Sequence, residues 1–327
     1  MNGIINIYKE QGYTSFDVVA RLRGICRQKK IGHTGTLDPD ATGVLPVCLG
    51  NATSLCDLLT DKTKEYETVL LLGITTDTQD VSGTVLKQQD VNLNEADVVS
   101  CIGQFTGDIE QIPPMYSAIK IDGRKLYELA REGKTVERRA RSVTIHSIDI
   151  LSIDLPRVTM RVACSKGTYI RTLCNDIGES LGCGGTMESL IRTRSGDFRI
   201  EDASKLDTVR EWADEGKLQD HILSVEEIFG GCSSIRMNAT ADKLLHNGNT
   251  FRKMDVVDIT KHGTTDNASD RADIHNRNSG YGETYAGVKT GIHKERYRVY
   301  DSEGTFYGVY DYDSTRKLYR PFKMFIP

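Results

Sequence analysis

Gly32-His-Thr-Gly-Thr-Leu-Asp-Pro-Asp-Ala-Thr-Gly43 has neither the 3.6-residue period of an amphipathic helix nor the alternation of a half-buried strand. Its glycines, threonines and proline predict a structured loop, and a loop of this length inside a compact domain is usually a functional one. On its N-terminal side, Gly3 to Tyr8 is a short apolar run of strand type. Thr14-Ser-Phe-Asp17 then opens a helix in capping-box fashion, with Val18, Val19, Leu22, Ile25 and Cys26 at helical spacing. On its C-terminal side follow a strand (Leu45 to Leu49), a helix (about Ala52 to Leu59) and a strand from Tyr66 to Leu72. Strands and helices mixed in this way predict an α+β fold.

Further out, Asn94 to Phe105 reads as a helix, and Met115 to Glu132 as strand, turn at Gly123 and helix. Ser142 to Ile153 and Val158 to Cys164 alternate as strands. A helix is expected from Gly167 to about Leu181, with Tyr169 and Arg171 in its first turns. From Ser224 the composition changes. Residues 253–294 are rich in Gly, Asn, Asp, Thr and His and predict a mobile insertion. Its flanks, Ala241 to Phe251 and Tyr297 to Ile326, predict one small β domain with Asp301-Ser-Glu-Gly304 as a hairpin turn.

A chain of 327 residues with 38% hydrophobic content can bury one large core and a smaller one. The N-terminus has no basic stretch followed by a long apolar run, so a secretory signal or membrane span is not expected there and cytoplasmic residence is. The eight cysteines lack the paired short spacings of zinc sites and predict reduced thiols. The phosphate-binding, dinucleotide-binding, zinc-hydrolase and nucleophile-elbow motifs are all missing. The formal net charge of −4 conceals basic clusters: Arg21, Arg23, Arg27, Lys29 and Lys30; Arg138, Arg139 and Arg141; Arg192, Arg194 and Arg199; and Arg316, Lys317, Arg320 and Lys323. Each fits either a solvated surface or a phosphate contact.

Two residues stand out chemically. Pro39 biases Asp38 toward an extended backbone, which projects its carboxylate outward, although an aspartate here can equally cap its own turn. A carboxylate kept ionised in a cleft needs a cation, and a guanidinium offers a planar, two-pronged donor. Arg171, in Ser165-Lys-Gly-Thr-Tyr-Ile-Arg171, is the candidate, with Asp176 as the alternative partner.

These segments together resemble the TruB family of bacterial tRNA pseudouridine synthases. GHTGTLDPDATGVLPVCLGNATSL is similar to the family's catalytic-loop motif, TKEYETVLLLGITTDTQDVSG to its tyrosine motif, and CSKGTYIRTLCNDIGESLGCGGTMESLIRTRSG to its arginine motif. QIPPMYSAIKIDGRKLYELAREG resembles its RNA-clamping insertion. The resemblance covers Gly3 to about Phe229 and is much weaker beyond. It implies that Asp38 is the catalytic aspartate, Arg171 its partner and Tyr66 the aromatic packing on the target base. It also places His33, Tyr169, Leu190 and Lys9 at the RNA. Two departures are visible: Lys9-Glu10 where the family usually has Lys-Pro, and Asp40 where it commonly has an apolar residue.

The resemblance further implies a pseudouridine synthase fold with a central mixed, mainly antiparallel sheet flanked by helices. The expected domains are 1–230, catalytic, with the clamping insertion at about 106–150, and 231–327, a β-rich PUA-like RNA-binding domain interrupted at 253–294. The implied activity is isomerisation of uridine 55 in the T arm of tRNA, by base flipping, glycosidic cleavage, base rotation and reattachment through C5. Because atoms and oxidation state are conserved, no metal or organic cofactor is expected. A monomer is expected, with no guide RNA and no obligatory protein partner. A uridine glycosidase and a non-catalytic RNA-binding protein are the competing readings.

Overall fold

The computed structural model describes residues 1–261 and 295–326. Its first half runs β1 (Gly3–Lys9), α1 (Ser15–Ile25), β2 (Ile31–His33), β3 (Thr42–Leu49), a 3-10 turn, α2 (Cys56–Thr60), β4 (Lys64–Leu72), β5 (Ile74–Thr76), β6 (Val85–Gln88) and α3 (Glu95–Gly103). Then come β7 (Gly107–Gln111), β8 (Lys120–Ile121), β9 (Arg124–Lys125), α4 (Leu126–Arg131), β10 (Arg141–Asp154), β11 (Arg157–Cys164), α5 (Ile170–Ser180), β12 (Gly185–Ser195), β13 (Phe198–Arg199), α6 (Leu206–Asp214) and α7 (Val225–Ile228). The C-terminal part holds β14 (Ser233–Met237), α8 (Asp242–His246), β15 (Phe251–Arg252), β16 (Val256–Thr260), β17 (Arg296–Tyr300), β18 (Phe306–Asp313) and β19 (Leu318–Met324).

The large sheet has the order β1-β3-β12-β4-β11-β10-β7, with β2 on β3 and β13 on β12. Every pairing in it is antiparallel except β3 with β12, where Thr42 faces Ile191 and Gly43 faces Arg192. The expected mixed, mainly antiparallel sheet is therefore present. At the parallel seam the backbones approach so closely that a Cβ on Gly43 would lie 2.2 Å from the Arg192 carbonyl, and the φ of +103° is one L side chains rarely adopt. The seam brings the mouth of the Gly32–Gly43 loop against β12, and β12 in turn sets Arg192 opposite Tyr66 of β4.

Helix α1 forms as expected. Thr14 Oγ1 accepts from the Asp17 amide at 3.1 Å, and the Asp17 carboxylate accepts from the Thr14 amide at 2.8 Å. Val18, Val19 and Leu22 are buried with Ile7, Leu45 and Val209 on one face of the sheet, while α3 and α5 cover the core formed with β4, β10 and β11. A further core joins both parts of the chain: Ile4 and Val44 meet Phe229, Val309 and Phe325. The eight cysteines are free, and all but Cys56 are buried. Among the described residues no helix is long and apolar enough to cross a membrane.

Several boundaries differ from the expectation. The helix expected from Gly167 begins at Ile170, because Gly167 sits at φ +80° and Tyr169 is still extended. The clamping insertion expected at about 106–150 gives both its ends to the sheet as β7 and β10, leaving only about 112–140 to project. Residues 242–246, read as part of a β domain, form α8. Within the insertion expected at 253–294, Lys253–Asp255 make a 3-10 turn and β16 pairs with β14. The rest of it, 262–294, lies outside the described residues. The second sheet, β15-β19-β18-β17-β14-β16, contains the expected hairpin, with the 301–305 turn joining β17 to β18. Strand β12 and helix α6 were not read from the sequence at all.

Candidate active site

The loop between β2 and β3 is irregular but firmly held, because its backbone groups find partners outside the loop. Thr34 donates to the Pro46 carbonyl through both its amide (3.1 Å) and its hydroxyl (3.2 Å). Ser15 Oγ accepts from the Leu37 amide at 2.9 Å, and Leu37 itself is buried beside Tyr66 and Ile170 in the core under α5. The Gly12 amide and Lys9 Nζ both donate to the Pro39 carbonyl, at 2.9 and 3.0 Å. Between these anchors Asp38 projects into a cleft of about 390 Å³.

Arg171, in the first turn of α5, reaches the same cleft. Its Nη2 lies 3.1 Å from Asp38 Oδ1 and 3.0 Å from Oδ2, and its Nη1 lies 3.7 Å from Asp80 Oδ2. The guanidinium thus divides its prongs between two acids instead of gripping Asp38 with both. Asp176 is not its partner. The Arg171 side chain is 7% exposed and that of Asp38 38% exposed, so the cation is enclosed while solvent still reaches the acid. Desolvation in the cleft pushes the Asp38 carboxyl above the usual carboxylate range, the nearby Asp80 adds to the rise, and Arg171 opposes it.

Tyr66, Tyr169 and Leu190 line this cleft with Asp38 and Arg171. Tyr66 is buried in the floor, and its hydroxyl lies against the Arg192 guanidinium. Tyr169 is held at the start of α5 by Gln111, whose carboxamide accepts from the Tyr169 amide (2.8 Å) and donates to its carbonyl (3.0 Å). His33 is near but does not line the cleft. It stands at the end of β2, edge-on to Phe16 with ring centroids 5.6 Å apart. A separate hollow of about 150 Å³ beneath Trp212 and His221 shares no residue with the cleft and contains neither Asp38 nor Arg171.

Two expectations need correction. Lys9, expected at the RNA, is fully buried: Nζ donates to the carbonyls of Glu10 (3.1 Å), Tyr13 (2.6 Å) and Pro39 (3.0 Å), and burial pushes its ammonium down to about 8. It props the Gly32–Gly43 loop from beneath. Replacing Lys9 with Met strands three carbonyls and is expected to cost about 3 kcal/mol of stability, read as a lower urea midpoint with an unchanged m-value. Arg192, counted among surface charges, is 1% exposed and donates to the carbonyls of Val44 (2.7 Å) and Gly35 (3.2 Å). Of the third basic cluster, then, Arg192 is enclosed, Arg194 is turned to Glu65 at 3.7 Å, and Arg199 is exposed.

The sequence reading missed Arg192, Asp80, Gln111 and Lys64 as parts of the site. Lys64 lines the cleft, and its Nζ donates to the carbonyls of Thr60 and Lys62. No alternation in the sequence pointed to Arg192, because irregularities at Met187/Ser189 and Arg192/Arg194 interrupt β12.

The profile of the TruB family pseudouridylate synthase N-terminal domain matches residues 23–170, and that of the tRNA pseudouridylate synthase B C-terminal domain matches 171–230. A tRNA pseudouridine synthase B from Lachnoclostridium phytofermentans is 49% identical over 100% of both chains, and one from Clostridium tetani is 48% identical over 80% of this chain and 89% of its own. The chain belongs to the TruB family. Among solved structures, a Cbf5-Nop10-Gar1 complex matches at TM-score 0.67 and 26% identity, covering 99% of this chain and 85% of that one. An H/ACA RNP bound to a substrate RNA containing 2'-deoxyuridine matches at 0.67 and 24% over the same shares, a likeness of fold alone.

Proposed function

We propose that this pseudouridine synthase acts on uridine 55 in the T arm of tRNA, in the cytoplasm and without a guide RNA or obligatory protein partner, with Asp38 as its catalytic carboxylate. The observation that carries this reading is the Asp38–Arg171 pair on the floor of a tyrosine-lined cleft. The curated relatives support tRNA as substrate by their names, at nearly twice the identity found with the RNP structures. Residues 1–230 form the catalytic part in this reading, with Tyr116 and Tyr127 of the projecting segment overhanging the cleft. Residues 231–327 form a PUA-like RNA-binding part.

A uridine stacked in a folded RNA must be extruded before its ring can be reached, at a cost of a few kcal/mol. In the cleft, Tyr66 replaces the lost stacking neighbour, and Tyr169 and Leu190 close the sides. The bond from N1 to ribose breaks, the ring turns, C5 joins the ribose, the C5 proton leaves and N1 takes a proton. Nothing is gained or lost overall. One ionised carboxylate suffices for an enzyme that recaptures its own leaving group, whereas hydrolysis of a glycosidic bond typically needs a second to activate water. Asp38 can act by attack on the ribose or the uracil ring, or by removing a ribose proton.

The test is incubation with unmodified tRNA transcript followed by mapping of pseudouridine by position. Pseudouridine at 55 is expected; modification elsewhere overturns the site, and release of free uracil makes the enzyme a glycosidase. Tyr66→Ala removes the stacking surface, worth about 1 to 3 kcal/mol. Its single-turnover rate at saturating tRNA is expected to fall at least tenfold, while Tyr66→Phe keeps the ring and most of the binding.

A further inference from the structure

Gln111 ends β7 and is buried, at 2% exposure. It stands opposite Arg141, the first residue of β10, so the chain leaves the sheet for the projecting segment just after Gln111 and returns beside it. A second bond closes the same root: Arg138 Nη1 donates to the Pro113 carbonyl at 3.0 Å. A buried carboxamide needs partners for both its oxygen and its nitrogen. Gln111 finds both on the backbone of Tyr169, accepting from its amide at 2.8 Å and donating to its carbonyl at 3.0 Å.

Tyr169 is a point where such a grip has leverage. It precedes α5 in an extended conformation, and its own side chain does not cap the helix. An amide at the start of a helix has no partner within that helix, so the bond to Gln111 supplies one. The Tyr169 carbonyl also opens the α5 ladder, accepting from the Leu173 amide at 3.0 Å. Arg171 lies two residues further on, and its guanidinium carbon stands 5.9 Å from the centroid of the Tyr169 ring. Backbone and ring of Tyr169 therefore both bear on where the guanidinium sits.

We infer that Gln111 is a positioning residue for the reaction: it registers the root of the projecting segment against the start of α5, and so sets where Arg171 meets Asp38. The inference rests on the proposed roles of Asp38 and Arg171. Arg171 lies 3.0 Å from one acid and 3.7 Å from the other, so a small tilt of the first turn of α5 redistributes it between Asp38 and Asp80. A displacement of about 1 Å at a reacting group can cost about 10²-fold in rate. Gln111 touches neither acid and acts only through Tyr169.

The test uses the full-length protein with unmodified tRNA transcript, and reads single-turnover rate, tRNA affinity and pH profile separately. Gln111→Met keeps the length of the side chain and loses both bonds to Tyr169. Its rate at saturating tRNA is expected to fall about tenfold or more, with tRNA affinity within about threefold of wild type. Its acid limb should move to higher pH. Asp38 is faced by Arg171, Asp80, Lys9 and Asp40, and Arg171 is the cation that most opposes its protonation, so a displaced guanidinium leaves the carboxyl easier to protonate. Gln111→Glu keeps the acceptor and regains the donor only when protonated. Its rate relative to wild type should therefore be low at neutral pH and recover as pH falls. If either variant, folded, matches wild type in rate and acid limb, Gln111 only supports the fold and the inference is wrong. Wild type that forms no pseudouridine in tRNA, or an Asp38→Asn enzyme that keeps the full rate, sinks the functional reading instead.

Discussion

Asp38→Asn is expected to lower the single-turnover rate of pseudouridine formation by about 10³-fold or more, while tRNA affinity changes only a few-fold. The amide has the size of the carboxylate and can still meet Arg171, but it neither attacks carbon nor accepts a proton. An unchanged modification rate would remove Asp38 from the chemistry altogether. The wild-type rate should also have an acid limb. In the proposed mechanism Asp38 acts in its ionised form, and desolvation raises its proton affinity more than Arg171 lowers it. The rate therefore falls as pH drops, through a midpoint above the ordinary carboxylate range, and Asp38→Asn should lack that limb in its residual rate. Neutralising Asp80 with Asn removes one cause of the rise, so the limb should move to lower pH.

Arg171→Ala is expected to be nearly as damaging to turnover and far more damaging to the fold. The enclosed guanidinium separates Asp38 from Asp80. Without it two carboxylates face each other across a poorly solvated gap. Removing one member of a buried charge arrangement costs about 3 to 5 kcal/mol, and the low end applies here because Asp38 remains partly solvated. Urea melts should show that loss, and raising proton concentration should recover part of it as one acid is neutralised. Arg171→Lys keeps the charge but cannot reach both acids from one planar group. It is expected to keep most of the stability and to lose about 10²-fold in rate. A lysine variant with full activity would show that the divided geometry of the guanidinium is unimportant.

The pair at the centre of the cleft was legible in the sequence because its members sit in long ordered motifs, and because a proline after an aspartate restricts what the backbone can do. The capped helix α1 and the strands around the loop were legible for the same local reasons. Burial of charge was not. Lys9 and Arg192 belong to residue types that are almost always solvated, so any sequence pattern places them outside. The parallel seam between β3 and β12 encloses Arg192, and the loop that carries Pro39 closes over Lys9, in each case a contact between residues far apart in the chain. Strand β12 escaped notice because irregularities between Met187 and Ser189 and between Arg192 and Arg194 break its alternation. Those breaks turn Leu190 and Arg192 toward the site. Asp80 sits between two short strands, where nothing in the spacing points back to Arg171.

The core shared by Ile4, Val44, Phe229, Val309 and Phe325 has a consequence for biosynthesis. A polypeptide leaves the ribosome from its N-terminus, so Ile4 emerges long before Phe325. The strand that opens the large sheet must wait, with one flank uncovered, until Val309 and Phe325 have been synthesised. Stalled or prematurely terminated chains would display that greasy flank, which makes them natural clients of chaperones and proteases.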